Sequence, residues 1–136
     1  FSNNAKSSFN IIPDGCRILL LRNVRNWMIR LILENLNTKA QVDLLGQDVS
    51  VKDMEDMDGL NQVYSYGTGF FSAESVSTDL IEKLESEHYN FVLVPVANNH
   101  LQGYQNVLEV AQMIQPEEIL YVLPEGHLQP VSPVAI

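Results

Sequence analysis

Apolar residues recur along this chain in two alternating patterns, which predict the order of its secondary structure. Short continuous apolar runs are typical of strands buried on both faces, and they occupy residues 17–22, 41–45, 62–66, 91–96 and 118–123. Apolar positions three and four residues apart predict amphipathic helices. Three such helices lie at residues 27–36, from the caps near Ser77 to His88, and at residues 104–114. A short or irregular helix is predicted within residues 48–61.

Strands that alternate with helices predict an α/β domain, a three-layer sandwich on a five-stranded parallel sheet with right-handed crossovers. A flavodoxin-like strand order, 2-1-3-4-5, suits five strands, and the Rossmann-like order 3-2-1-4-5 is an alternative that the pattern leaves open. We expect a single α/β domain at residues 17–128. An N-terminal extension at residues 1–16 precedes it, and a proline-containing tail or linker at residues 129–136 follows it.

Composition excludes several classes of protein. The 136 residues include 8 basic and 17 acidic side chains, a formal net charge of −9, and so acidic a surface repels nucleic acid. The longest apolar run covers only residues 91–97, against about 20 residues for a membrane-spanning helix, so we predict no membrane span. The lone Cys16 excludes an internal disulfide and fits a reducing compartment, which makes a cytoplasmic location the expectation.

The charge is unevenly placed along the chain. All four arginines lie within residues 17–30, and residues 17–39 carry a local charge of +4. Residues 40–136 carry 15 acidic side chains against Lys52 and Lys83, a local charge of −13. One small basic region therefore remains that could attract a small anion, while the acidic segments at residues 43–58 and 74–87 could face a protein partner.

The best candidate ligand site follows the first strand, because ligands of open α/β sheets bind beyond the carboxyl ends of the strands. Arg25 starts a helix, where a cation is unfavourable by some tenths of a kcal/mol. A bound phosphate or carboxylate would reverse that cost, with Arg22 or Arg25 gripping it. Alternatively, these arginines pair with surface acids and the asparagines only form turns. The predicted ligand-binding residues are Arg22, Asn23, Arg25, Asn26, Asn98, Asn99 and His100.

Other chemistry has weaker support. The dinucleotide fingerprint, the P-loop and the nucleophile-elbow pattern are all missing from the sequence, so we predict no cofactor. His100 and His127 could meet above the sheet as an acid–base pair or a metal site, but their separation gives no ligand spacing. We therefore prefer exposed or loop-bracing histidines and predict no metal. Trp27 and Tyr104 are predicted to pack in the core.

Three segments, at residues 17–23, 91–99 and 103–107, resemble the amino-terminal half of two-domain glycosyltransferases of the GT-B type, specifically the heptosyltransferase-like group. The resemblance implies an acceptor-binding domain that binds a polar or anionic sugar-containing ligand. The contacts it implies are Arg22, Asn23, Arg25, Asn98 and Asn99. That family carries a Gly-Asp pair after the first strand, with Asp as base, where this chain has Arg25-Asn26. The resemblance thus implies a domain that is not catalytic alone.

A function from another class also fits the sequence. The chain could be a non-catalytic regulatory or protein-interaction module with a degenerate receiver-like fold. Its third strand ends at Tyr66 and Gly67, where a receiver carries the phosphate-accepting aspartate.

Overall fold

A six-stranded sheet runs through the protein, as seen in a computed structural model that describes residues 8–36, 40–48, 53–54, 57–69, 71–98 and 104–131. The strands are β1 (Cys16–Leu21), β2 (Ala40–Gly46), β3 (Leu60–Ser65), β4 (Phe91–Pro95), β5 (Glu118–Val122) and β6 (Leu128–Pro130). The helices with complete bounds are α1 (Asn26–Leu36), α2 (Thr78–Ser86) and α3 (Gln105–Ile114). Much of the irregular helix predicted at residues 48–61 lies outside the described residues.

The strand order is β3-β2-β1-β4-β5-β6. Strands β1 to β5 pair in parallel, while β6 pairs antiparallel to β5. The predicted α/β class with a mostly parallel sheet is confirmed, and the five parallel strands follow the Rossmann-like order. The flavodoxin-like alternative and the count of five strands are wrong. The sixth strand follows a tight turn, in which Leu123 N donates to the carbonyl of His127 at 2.9 Å.

Both faces of the sheet are covered, which explains why the strands read as continuous apolar runs. On β1, Ile18 and Leu20 face the core under α1, whereas Leu19 and Leu21 face the core under α2 and α3. All four side chains are fully buried. The side chains of one strand alternate between faces, so a strand between two helical layers needs apolar residues at every position.

The packed unit extends past both predicted boundaries. Phe9 and Ile12, which lie in the predicted N-terminal extension, are each 1% exposed and join the core under α1. Ser8 Oγ accepts a hydrogen bond from Leu128 N at 2.7 Å. Gln129 and Pro130, assigned to the tail, belong to β6. A three-residue edge strand containing proline lacks the periodic signal from which the other strands were predicted.

The start of α2 and the end of α3 lie where the sequence indicates, whereas α2 ends at Ser86, before the predicted His88. Ser77 caps α2, since its Oγ accepts from Leu80 N at 3.2 Å. Helix α3 ends at Ile114, and the next residue, Gln115, has the left-handed conformation directly before Pro116. None of the helices in the described ranges combines the length and apolar character that a membrane crossing demands.

Candidate functional site

A pocket of about 620 Å³ opens at the carboxyl ends of β1, β4 and β5. Strand order reverses between β1 and β4, and this is where open α/β sheets place their ligands. We call it the carboxyl-edge pocket. Its lining residues are Arg22, Asn23, Val24, Arg25, Trp27, Met28, Val96, Ala97 and Pro124.

Arg22 lies at the end of β1 and is partly buried. Its backbone N donates to the carbonyl of Leu45 at 2.8 Å, which fixes the loop against β2. Its guanidinium donates from Nε and Nη2 to Asn26 Oδ1 at 3.2 and 2.8 Å. The predicted site residue Asn26 thus orients Arg22 from the first turn of α1.

The charge of Arg22 is weakly compensated. Burial lowers the pKa of its guanidinium, an effect that the negative charge of Asp53 opposes. An arginine remains charged even so. The ion pairs formed among the described residues do not include Arg22, and its hydrogen-bond acceptor on Asn26 is a neutral amide. An anion in the pocket would supply the opposite charge.

Asn23 carries an unsatisfied amide. Its side-chain Nδ2 and Oδ1 are both buried, and within the described part of the chain neither has a hydrogen-bond partner. A buried polar group left without a partner costs about 1–3 kcal/mol. Most buried polar groups in folded proteins are paired, so this amide at the pocket calls for a specific explanation.

Arg25 and Trp27 lie at the amino end of α1. The carbonyl of Arg25 accepts from Met28 N at 3.1 Å, so Arg25 occupies the capping position, and its side chain is exposed. Trp27 is 57% exposed, which contradicts the prediction that it packs in the core. The stripe that α1 buries consists of Met28, Ile29, Ile32, Leu33 and Leu36. Trp27 lies beside this stripe, so its indole remains at the pocket.

The predicted residues after β4 are only partly placed. Asn98 is exposed and does not line the pocket, whereas Asn99 and His100 lie outside the described residues. Tyr104 is half-buried rather than a full core residue, because its hydroxyl accepts from Ala97 N at 2.7 Å. Tyr104 therefore fixes the backbone of Ala97, which lines the pocket. Among the described residues no group of three or more potential ligands could hold a metal ion.

A second polar group occupies the amino ends of the strands and was not predicted. We call it the amino-edge cluster, and its centre is Asp43, which is 1% exposed. Asp43 Oδ2 accepts from the Tyr89 hydroxyl at 2.6 Å, and Oδ1 accepts from Asn61 Nδ2 and Gln62 N, both at 3.1 Å. The pairing of β2 with β3 shifts register at this point. The carboxylate therefore holds the irregular start of β3.

Ion pairs complete the amino-edge cluster. Glu87 accepts from Lys83 Nζ at 2.5 Å and from Arg17 Nη2 at 2.6 Å, and these two cations lower the pKa of Glu87 to about 2. Arg17 Nη2 lies 4.0 Å from Asp43 Oδ2. Burial, together with the bond to Asp43, raises the pKa of Tyr89. The charges balance within the cluster, so we assign it a structural role.

This cluster changes one sequence-based expectation. Asp43 and Glu87 were counted in the two acidic segments that could face a protein partner. Asp43 is buried and Glu87 is occupied by Lys83 and Arg17. The one sequence signal for Asp43 was a carboxylate inside an otherwise apolar strand, between Val42 and Leu44.

Comparisons with known proteins find no matching family model and no matching curated protein. Among solved structures, the chain is similar to L-sorbose reductase from Gluconobacter frateurii, complexed with NADPH and L-sorbose, with 10% sequence identity and a TM-score of 0.46. The match covers 75% of this chain and 45% of the reductase chain. A likeness of that size says nothing about ligand or activity.

The Rossmann-like strand order often accompanies a dinucleotide, so the loop after β1 must be judged on its own residues. Dinucleotide sites use glycines there, which allow the backbone to approach the pyrophosphate. This loop is Arg22-Asn23-Val24-Arg25-Asn26 and contains no glycine. Every residue of this loop carries a side chain, so the loop lacks the glycines that a dinucleotide site uses.

Proposed function

We propose that this domain binds a small anionic, sugar-containing ligand in the carboxyl-edge pocket, as the acceptor-side part of a glycosyltransferase-like protein. The observation that supports this most is the partly buried guanidinium of Arg22, oriented by the neutral amide of Asn26. Charged groups taken out of water are normally paired. A phosphate or carboxylate of the ligand would pair with Arg22 through charge-assisted hydrogen bonds.

The surroundings favour an anion further. Arg25 brings a second guanidinium to the pocket, and the backbone N–H groups of Asn26 and Trp27 precede the first hydrogen bond of α1, which Met28 N donates. The partial positive charge at a helix start attracts anions. In a chain with a net charge of −9, such a basic corner also steers small anions to one place.

Trp27 supports the sugar part of the proposal. Its exposed indole offers a flat apolar surface beside the arginine and amide groups of the pocket. The C–H face of a sugar ring can pack on such a surface while its hydroxyls meet the polar groups. The described lining residues include no carboxylate that could act as a general base, so the domain is proposed to bind rather than to catalyse.

Trp27 also provides the test, because it is the one tryptophan in the chain. We expect glucose 1-phosphate to change its fluorescence in a saturable manner, and glucose to have a much weaker effect. Removing the charge with Arg22→Gln should weaken binding of the phosphate about tenfold or more, the value of a hydrogen bond to a charged group.

Arg30→Gln is the matched control for Arg22→Gln. Arg30 is exposed on α1, the helix that carries Trp27, and it does not line the pocket. This variant should bind glucose 1-phosphate like the original protein. Equal weakening in both variants would indicate a general charge effect and refute the site. A Trp27 signal that does not respond to the phosphate would refute the proposal altogether.

A further inference from the structure

The unsatisfied amide of Asn23 limits the chemistry of the ligand more narrowly than the arginines do. An asparagine side chain offers two N–H donors on Nδ2 and an acceptor on Oδ1, and here both atoms are buried without a partner among the described residues. Replacement by an apolar side chain of similar size would remove the cost of burying them. The amide therefore weakens the fold where it lies, at the pocket.

The two unsatisfied atoms of Asn23, Nδ2 and Oδ1, restrict which chemical groups of a ligand can satisfy both of them. A phosphate or carboxylate oxygen accepts hydrogen bonds, so it would satisfy Nδ2 but leave Oδ1 unpaired. A group that carries a donor next to an acceptor satisfies both. Two neighbouring hydroxyls of a sugar have this property, and so does the edge of a nucleobase, which asparagine can bind through two hydrogen bonds.

We infer that Asn23 is a specificity-determining residue that recognises an adjacent donor and acceptor on the organic part of the ligand, while Arg22 and Arg25 bind its anionic part. This inference rests on the proposed function. Asn23 lines the pocket but its amide atoms are shielded, so the side chain must rotate to reach the ligand. Binding thus exchanges an unpaired amide for a paired one.

Three probes and one substitution test the inference through Trp27 fluorescence. Inorganic phosphate offers only the anion, glucose 1-phosphate adds neighbouring hydroxyls, and adenosine monophosphate adds a nucleobase edge. We expect at least one of the two organic phosphates to bind about tenfold more tightly than inorganic phosphate, as two net hydrogen bonds allow. The organic phosphate that binds more tightly shows whether sugar hydroxyls or a nucleobase edge supply the donor and acceptor.

Asn23→Leu should abolish that difference and leave the affinity for inorganic phosphate within about twofold. Asn23→Asp keeps the size but adds a negative charge, so it should weaken all three probes. If Asn23→Leu keeps the full preference for the organic phosphate, or if the original protein shows no preference, the role of Asn23 is refuted. This outcome differs from failure of the proposed function, in which no probe binds or Arg22→Gln has no effect.

Folding of the variant is checked in the same samples. Asn23→Leu should unfold cooperatively at the same temperature as the original protein or above it. Should that variant lose the fold, Asn23→Ala, which removes both amide atoms and adds no bulk, takes its place. Asn23→Ala should abolish the preference for the organic phosphate without changing the affinity for inorganic phosphate, and an unchanged preference would refute the inference.

Discussion

Two buried polar residues, one at each edge of the sheet, differ in whether their hydrogen bonds are satisfied. Asp43 is a buried carboxylate with three hydrogen-bond donors, whereas Asn23 is a buried amide without a partner in the described chain. The first arrangement is typical of a structural group, because its buried polar atoms are satisfied. The second arrangement destabilises the fold at a pocket, as binding sites often do.

Replacing Asn23 with leucine should therefore stabilise the protein. The substitution replaces two buried unpaired atoms with methyl groups on the same branched skeleton, so we expect the free energy of unfolding to rise by about 1–3 kcal/mol. Urea denaturation followed by circular dichroism measures this change. A decrease in stability of similar size would indicate that the amide is satisfied after all, for example by an ordered water.

Replacing Asp43 with alanine should have the opposite effect. It leaves the Tyr89 hydroxyl, Asn61 Nδ2 and Gln62 N without their shared acceptor, and we expect a loss of about 3 kcal/mol or more. Asp58→Ala is the matched control, because Asp58 is exposed, and it should change stability by less than about 0.5 kcal/mol. Similar urea midpoints for the two variants would contradict the structural role of Asp43.

At the scale of elements, Glu87 joins the end of α2 to the start of β1 through Lys83 and Arg17. Its pKa falls from 4.5 to about 2 in the folded protein, so the folded state favours the charged form. The stabilisation is fully present above pH 4.5 and is lost as the pH falls towards about 2.

Glu87→Gln should accordingly flatten the decline of stability with acidity over that interval. Thermal unfolding of both proteins across the acidic range provides the comparison. Glu85→Gln serves as the control, since Glu85 is exposed on the same helix and is not a member of these ion pairs. An identical pH dependence in Glu87→Gln and the original protein would show that the ion pair contributes nothing to stability.

Elements also show how much the sequence could predict. Strands β1, β2, β4 and β5 are apolar on both faces and were located within one or two residues, and Ser77 and Pro116 marked helix ends correctly. The strand order was not readable, because periodicity is a local property and order depends on contacts between distant segments. Strand β6 escaped prediction because three residues are too short for a period.

The candidate site was predictable to a similar extent. Polar residues that follow β1 must lie at the carboxyl edge of the sheet, so the position of Arg22, Asn23 and Arg25 followed from the α/β pattern. The exposure of Trp27 did not, because two overlapping apolar stripes on α1 fit the spacing and only the packed sheet decides between them. Nor could the pattern show that Asp43 accepts hydrogen bonds from two separate segments, residues 61–62 and Tyr89.

For the molecule as a whole, the charge asymmetry and the strand order lead to the same region. The sheet reverses its order between β1 and β4, and two arginines of an otherwise acidic chain meet a pocket there. The opposite edge carries a cluster in which positive and negative side chains are paired. We therefore expect small anions to bind at one edge of the sheet.

Amide chemical-shift mapping tests this central claim most directly. During titration with glucose 1-phosphate, we predict saturable shifts for residues 22–28 and for Val96 and Ala97, with the amides of Arg17, Asp43 and Glu87 unchanged. Unmoved amides at residues 22–28, or shifts confined to the amino-edge cluster, would contradict the account.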